Sequence, residues 1–364
     1  MKMWKYSWVL LLIPVLAFSF IQKERVERRI SKSFAIQSDG IMEIDNRYGN
    51  IDIAVGEAGT IKMEVIMAAT SNSEKKAQDA LERISIDFNE GNNRISARTQ
   101  INDASGWMSW FSTGNVDMDI HYKVLVPADV FLELTNKYGS IYVETTDREL
   151  TVDLSYGQLS LGDINADLDL EMAFSDARIS QIKNGDLTLA YSDMEMEDGS
   201  DISIKMKYTD LKAGTFQKLH LVSAYGSFEN NGVHQMDYNG KYDDLIVGQL
   251  GSFSGDASYT DIVIGQLDGE GRFDMRYGDL EINAIRPGFS RIDIHSSYTG
   301  VALDFISGAS FSLDAAVNYC DIRYDDLKVS ENIDKGSSHI LKGTRGSGNG
   351  QVYARMNYGE LLID

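Results

Sequence analysis

Apolar and polar residues alternate along most of this chain, and the alternation changes phase at regular intervals. Phe273, Met275 and Tyr277 share one parity, whereas Leu280 and Ile282 share the other. Because alternate residues of a β-strand face the same side of a sheet, the pattern predicts two short strands joined at a corner where one residue of phase is lost. Further changes of phase follow Phe174, Tyr208 and Tyr319.

The corner coincides with a repeated motif of a tyrosine, a small residue, a polar residue and an apolar residue. From Tyr138 to Tyr277 the copies follow each other every 17 or 18 residues, and the spacing then widens to 21, 21 and 39 residues. Phe174 takes the tyrosine position once. The other copies begin at Tyr48, Tyr138, Tyr156, Tyr191, Tyr208, Tyr225, Tyr242, Tyr259, Tyr277, Tyr298, Tyr319 and Tyr358.

A unit this short cannot bury its own core, so stacking of successive units is required. The period-two alternation excludes helical repeats, and propeller blades need roughly 40 residues each. We therefore expect an all-β chain, a right-handed parallel β-solenoid (β-helix) of 17- to 21-residue coils. Gly248 and Gly265 indicate a second corner, where glycine permits an unusual backbone.

The flanks of the repeat predict caps, because the end coils of a solenoid expose unpaired strand edges. We expect an N-terminal β-rich capping region (21–135), with strands at 61–67, 84–88, 95–98 and 116–126 and one short helix from Ser73 to Ile84, with Ser73 as N-cap. The solenoid follows at 136–364. A polar, Gly- and Ser-rich loop insertion at 329–350 precedes a final coil.

The N-terminus has the pattern of an export signal. Lys2 and Lys5 precede an apolar run from Trp8 to Phe20, which is shorter than the roughly 20 residues that a membrane-spanning helix needs. We expect a signal peptide at 1–20. No clear cleavage site follows the run, so an uncleaved anchor remains an alternative.

Composition narrows the classes of partner. The 364 residues include 34 Lys and Arg against 55 Asp and Glu, a net charge of -21 that would repel a nucleic-acid backbone. The hydrophobic fraction of 43% suffices for a large core, and a single cysteine excludes a disulfide-stapled domain.

The repeat residues themselves are the first candidates for a site. Because the tyrosines share the parity of core residues, we expect an internal aromatic ladder; a platform for sugars would need outward-facing rings. Carboxylates two residues after the rings form a predicted column that could gather Ca²⁺, but we favour turns in which each aspartate caps its own corner amides. These residues are Asp193, Asp210, Asp244, Asp261, Asp279 and Asp321.

No assembled catalytic constellation is present in the sequence. The five histidines lack metal-ligand spacing, and Cys320 is interpreted as a small turn residue. Arginines from Arg272 to Arg291, with Asp274 and Asp279, form a dense mixed-charge patch. Such a patch could serve a polysaccharide lyase, although a solvated outer face carries similar charges. We expect no enzyme activity, no cofactor and no metal site.

An aromatic segment interrupts the polar capping region. Trp107, Trp110 and Phe111 lie close together between glycines. Large aromatic side chains usually find burial, so packing over the solenoid is one interpretation. The other is a contact surface for a partner or a glycan, and these three residues are our candidates for partner binding.

The Tyr-Gly-x-Ile/Leu repeats, the segment from Tyr122 to Pro127 leading into Leu132 to Gly139, and the signal-like start together resemble bacterial secreted proteins that carry a "putative adhesin" domain of unknown function. The resemblance implies adhesion, and it supplies no catalytic residues.

We therefore expect a non-enzymatic, exported structural or interaction protein of the periplasm, outer membrane or cell surface. Its expected partner is a cell-surface glycan or an envelope protein, and we expect no integral membrane domain beyond the signal segment. The alternatives are a carbohydrate-active β-helix, which would bind or cleave polysaccharide, and a periplasmic scaffold or sensor partner.

Overall fold

The computed structural model describes residues 23–102 and 116–364, and strands make up most of this part of the chain. The strands are β1 (Glu24–Ala35), β2 (Ile41–Arg47), β3 (Ile51–Val55), β4 (Thr60–Ser71), β5 (Ile84–Gly91), β6 (Arg94–Ile101), β7 (Val116–Val126), β8 (Phe131–Lys137), β9 (Ile141–Thr146), β10 (Leu150–Ser155), β11 (Gln158–Ala173), β12 (Asp176–Ala224), β13 (Ser227–Lys241), β14 (Asp244–Ser258), β15 (Asp261–Ile285), β16 (Arg291–Phe305), β17 (Phe311–Tyr324), β18 (Lys328–Asp334), β19 (Ser338–Arg345) and β20 (Gly350–Ile363). The helix is α1 (Glu74–Leu81).

Successive coils pair in parallel and in register, which makes the molecule a β-solenoid as the repeat predicts. Leu134 pairs with Val152 and Val152 pairs with Leu170, so apolar residues form columns through the interior. All three side chains are at most 1% exposed. The inward residues of β8 to β17 and β20 continue these columns and form one hydrophobic core with the cap.

The second predicted corner exists, but its glycines are required for a different reason. Gly248 and Gly265 do not adopt positive φ angles. A methyl group on Gly265 would lie only 2.5 Å from the carbonyl oxygen of Gly248 in the preceding coil. Glycine therefore supplies space between the coils at this corner.

The solenoid begins earlier in the chain than residue 136. Strands β2 and β3 form its first coil, because β2 pairs in parallel with β8 and β3 pairs in parallel with β9. The capping strands are inserted after this coil. Strands β7, β4 and β1 extend the β3 side, and the β5–β6 hairpin covers β2.

The predicted helix is present within the cap and is shorter than expected. Ser73 is its N-cap residue, although its side chain makes no capping hydrogen bond, and Ala77, Ala80 and Leu81 are buried. Ile84 is not part of the helix because it begins β5.

The C-terminal end departs from simple succession of coils. The segment 329–350 contains β18 and β19, which form an antiparallel hairpin rather than a loop, and β19 pairs with the first part of β17. Strand β20 then returns and lies between β16 and β17. The last coil in sequence is therefore the penultimate coil in space.

Residues 1–20 and the aromatic segment with Trp107, Trp110 and Phe111 lie outside the described residues. Among the residues that are described, none of the helical structure has the length and apolar character to cross a membrane.

Candidate functional site

The rings of the motif lie on the outside of the corner, so the prediction of an internal ladder is wrong. Each ladder residue has a φ angle between 52° and 64°, in the left-handed region. This conformation is rare for a residue with a side chain and costs about 1 to 2 kcal/mol. It turns the ring away from the interior, although the preceding strand would give it inward parity.

The outward rings form one continuous stack of twelve tyrosines and Phe174. Neighbouring ring centroids are 4.6 to 5.3 Å apart and the planes differ by at most 19°. Twelve steps of about 4.9 Å give a column about 59 Å long. From Tyr138 onward the exposure of the rings varies between 39% and 61%; it is highest at Tyr319, which ends the column, and Tyr48 at the other end is half-buried.

The residue after the ring is buried where it is serine, threonine or aspartate, and its side chain then closes the corner. Ser175 Oγ donates to the carbonyl of Ala173 at 2.9 Å and accepts the N–H of Gly157 from the preceding coil at 3.1 Å. Both bonds satisfy a polar group that has no access to water. The same donation to the residue two positions earlier is made by Ser192, Thr209, Thr260 and Thr299.

One coil places a carboxyl group in this buried column. Asp243 is 5% exposed, accepts a hydrogen bond from the Tyr238 hydroxyl at 2.8 Å and accepts the Gly226 N–H at 3.0 Å. Burial raises the pKa of Asp243 above its ordinary value, because the hydrogen bonds do not fully replace water around the charged form. Asp243 therefore carries an ionisable group inside the rod.

Three of the aspartates two residues after the rings bridge coils and do not cap their own corner amides. Asp210 Oδ1 accepts the N–H and the hydroxyl of Ser227 from the next coil, at 3.1 and 2.8 Å. Asp261 and Asp279 likewise accept backbone N–H groups of the following coil. Within 23–102 and 116–364, no group of three or more His, Cys, Asp or Glu residues is arranged to hold a metal ion.

A groove of about 460 Å³ lies on the outer face of β13 to β16, where the sequence has its mixed-charge patch. Arg272 Nη2 lies 2.8 Å from Asp274, Arg291 Nε lies 2.6 Å from Asp293, and the Arg291 guanidinium stacks on Tyr353 at 4.4 Å. The polar residues that line the groove are Gln235, Asp237, Ser252, Ser254, Glu270, Arg272, Arg291 and Asp293.

The charges in this groove oppose a role for arginine as a catalytic base. Hydrogen bonds and coulombic attraction from Asp274 raise the pKa of Arg272, and Asp293 does the same for Arg291. Both guanidinium groups therefore stay protonated. Asp293 Oδ1 is buried and has no hydrogen-bond partner in the described part of the chain.

A larger hollow of about 670 Å³ lies on the outer face of β1, β4, β7 and β3. Lys62 and Lys123 line it together with Asp52 and Glu64. Lys123 is flanked in the sheet register by both of these acids. Lys32 also lines the hollow, which therefore carries both signs of charge, with three lysines and two acids.

Cys320 occupies the position after Tyr319, as the predicted turn residue. Its Sγ donates to the Asn318 carbonyl at 3.3 Å, which copies the hydroxyl contact of the other corners. Burial raises the pKa of the thiol, so the reactive thiolate is disfavoured at neutral pH.

No protein-family model matches the chain, and no curated protein matches it. Among solved structures it is similar to a "putative cell adhesion protein" from Clostridium sporogenes, at 8% identity and a TM-score of 0.20, covering 92% of this chain and 99% of that one. It is also similar to a "putative lipid binding protein" from Parabacteroides distasonis (11% identity, TM-score 0.28, 75% and 93% of the chains) and a "putative adhesin" from Parabacteroides merdae (8%, 0.28, 77% and 97%). At TM-scores this low, the matches support no argument about function.

Proposed function

We propose that this protein is a non-enzymatic, exported adhesion rod of the cell envelope or surface. The observation that carries the proposal is the exposed ring column, which runs uninterrupted for about 59 Å along the solenoid. Each inner ring contacts both neighbours, and each coil is also joined to the next by strand pairing. The same geometry is repeated at every coil, which suits a stiff element that holds a binding surface in place.

The outer surface offers an extended partner a periodic set of contacts. The ring faces are occupied by neighbouring rings, so ring edges and hydroxyl groups are what the column presents to solvent. Lys207 lies over the Tyr208 ring at 5.2 Å and Lys137 lies over the Tyr138 ring at 5.4 Å, which adds cations beside the column. A long envelope polymer or an envelope protein is the class of partner that such a surface fits.

A specific observation favours glycan binding in the groove as a second candidate function. Arg291 lines the groove, and its aromatic partner Tyr353, 4.4 Å away, fixes the guanidinium plane. Sugar hydroxyl groups donate to carboxylates, and acidic sugars pair with guanidinium groups. The protonated state of the arginines supports binding rather than lyase chemistry.

Binding to cells and to immobilised polysaccharides tests both candidates. We expect the wild-type protein to bind and to release no sugar fragments from the polysaccharides. Arg272→Gln with Arg291→Gln should abolish glycan binding if the groove is used. Arg178→Gln is the matched control, because Arg178 also pairs with an acid, Glu195 at 2.9 Å, outside the groove.

The aromatic segment is tested in the same assay. Trp107→Ser with Trp110→Ser should abolish adhesion and leave the thermal midpoint unchanged if the segment contacts a partner. A lower midpoint with intact adhesion would show that the tryptophans pack against the protein. Absence of binding by the wild-type protein, or release of sugar products, would contradict the proposed function.

A further inference from the structure

The C-terminal end of the solenoid is stepped. The first part of β17, 311–318, is covered by β19 of the terminal hairpin. The second part, 320–324, pairs with β20 on one side, and no strand in the described part of the chain pairs with its other side. We call residues 320–324 the open edge.

The open edge lacks the coil that would complete its core. Ile322 and Tyr324 are only partly buried, whereas their register partners in β20, Leu361 and Ile363, are fully buried. The side chains on both strands face the same interior. Within residues 23–102 and 116–364, the difference in burial arises because no strand pairs beyond Ile322 and Tyr324.

The open edge also presents backbone groups that pair with no other strand among residues 23–102 and 116–364. In the first coil, Ile51 stands three residues after its ladder ring and donates its N–H to Ser140 in the next coil at 2.9 Å. Ile322 stands three residues after Tyr319 and so directs its N–H beyond the last coil. The backbone N–H and C=O groups of successive residues point to opposite edges of a strand, so those of Cys320 and Tyr324 point to the same edge as those of Ile322. Such a row of donors and acceptors is a template for a further strand.

We propose that the open edge pairs antiparallel with the open edge of a second copy of this chain, which gives a twofold, tail-to-tail dimer. The register that places Ile322 opposite Ile322 of the partner subunit lets these two residues exchange both hydrogen bonds. Cys320 then lies opposite Tyr324 of the partner subunit. The inward side chains of both subunits face one shared interior, so each subunit supplies the layer that the other lacks.

The charges of the open edge are self-complementary in this register. Arg323 lies opposite Asp321 of the partner subunit, and the twofold axis generates the same pair a second time. Both side chains are exposed on the outer face, where cross-strand neighbours are about 5 Å apart and opposite charges stabilise the pair.

The terminal hairpin lies beside the open edge and does not cover it. It stands at the Tyr319 end of the open edge, where the Tyr319 N–H donates to Ser337 at 2.8 Å. A twofold axis reverses the strand, which puts the partner subunit's hairpin at the opposite end. Stacking of a whole coil in parallel would instead have to displace the hairpin, because the hairpin already covers the first part of β17.

Sedimentation of the purified full chain over a range of concentrations tests the dimer. We expect Arg323→Asp and Asp321→Arg each to weaken dimerisation by about tenfold or more, because each creates like charges across the interface. The double variant Asp321→Arg with Arg323→Asp should restore it. Circular dichroism of each variant should show an unchanged fold, since both side chains are exposed.

The matched control separates the interface from the pair that Arg323 already makes. Arg323 lies 3.1 Å from Glu360 within one subunit, and Glu360→Gln removes this pair while leaving the open edge intact. We expect Glu360→Gln to dimerise as the wild type does. A monomeric wild type, a dimer that survives Arg323→Asp, or a double variant that fails to recover would each overturn the proposal. These outcomes do not depend on adhesion, so they are distinct from failure of the proposed function.

Discussion

Truncation of one ring in the middle of the column tests what the exposed stack contributes to stability. Tyr242 stacks on Tyr225 at 4.8 Å and on Tyr259 at 4.9 Å, with planes within 12°. It is 45% exposed and has a φ angle of 58°. Tyr242→Ala removes both stacking contacts and leaves a residue with a Cβ in the left-handed conformation.

The expected cost follows from these contacts. Each aromatic pair stabilises by about 0.5 to 1.5 kcal/mol, so Tyr242→Ala should lower the free energy of unfolding by about 1 to 3 kcal/mol. A fully buried ring would cost about 3 to 5 kcal/mol, which is the value that an internal ladder predicts. Among the described residues Tyr319 has a single stacked neighbour, Tyr358 at 4.9 Å, and Tyr319→Ala should cost about half as much.

Three further variants divide the effect into ring and backbone. Tyr242→Phe should be nearly neutral, because Phe174 occupies the same position in another coil. Tyr242→Gly should be less destabilising than Tyr242→Ala, because glycine adopts the positive φ without strain. Asp244→Ala should cost far less than any loss of a ring, since the Asp244 side chain is exposed.

Guanidinium denaturation followed by circular dichroism measures these differences, with the thermal midpoint as a second readout. The reasoning would be refuted by equal costs for Tyr319→Ala and Tyr242→Ala, since the number of stacked neighbours would then be irrelevant. It would also be refuted if Tyr242→Gly were clearly worse than Tyr242→Ala.

Three other variants probe the buried polar groups and the close approaches between coils. Burial raises the pKa of Asp243 in the folded state, so ionisation of Asp243 destabilises the fold. The stability of the wild type relative to Asp243→Asn should therefore fall as the pH rises from about 3.8 through the raised pKa. Denaturation at several pH values across that window measures the difference. Arg345→Met removes a 2.9 Å bond to the backbone carbonyl of Asp364 and should cost about 1 to 3 kcal/mol, with faster proteolysis of the C-terminal strand as the readout. Gly265→Ala should lower the thermal midpoint by several degrees, because its methyl group would meet the carbonyl of the preceding coil.

The repeat predicted the solenoid but not the direction of its rings. Apolar alternation correctly placed Phe273 and Met275 inside on one side of the corner and Leu280 and Ile282 on the other. The alternation of apolar residues cannot show which residue adopts the left-handed conformation. The same change of phase results whether the aromatic residue or the residue after it does so. The informative signal is the second motif position, which is serine, threonine or glycine in most copies. The chain turns inward at this position.

The C-terminal topology could not be predicted from the repeat. The motif at Tyr358 predicts a coil, but its similarity to all other coils gives no preference for a place in the stack. The hairpin and the return of β20 between β16 and β17 depend on pairings between residues up to 60 positions apart, such as Arg291 with Gln351. The pattern in 329–350 is too polar and Gly-rich to indicate those strands.

The candidate surfaces were predicted in part. The mixed-charge patch does form a groove, yet the sequence could not show that Arg272 and Arg291 each have an acid within 3 Å. Those partners are two residues away on the same strands, a spacing that places side chains on one face. The proposals for Trp107, Trp110 and Phe111 stay predictions.

The geometry of the column limits how it can bind a partner. Both faces of each inner ring contact the neighbouring rings. A sugar ring therefore cannot stack on an inner tyrosine without separating two coils that are also joined by backbone hydrogen bonds. Tyr319 is different, because Tyr358 covers one face only and the side chain is 61% exposed. Tyr319 adjoins the open edge at Cys320. The exposed face of Tyr319 and the open edge therefore meet at one end of the rod, where a partner can make contacts that the inner rings do not offer.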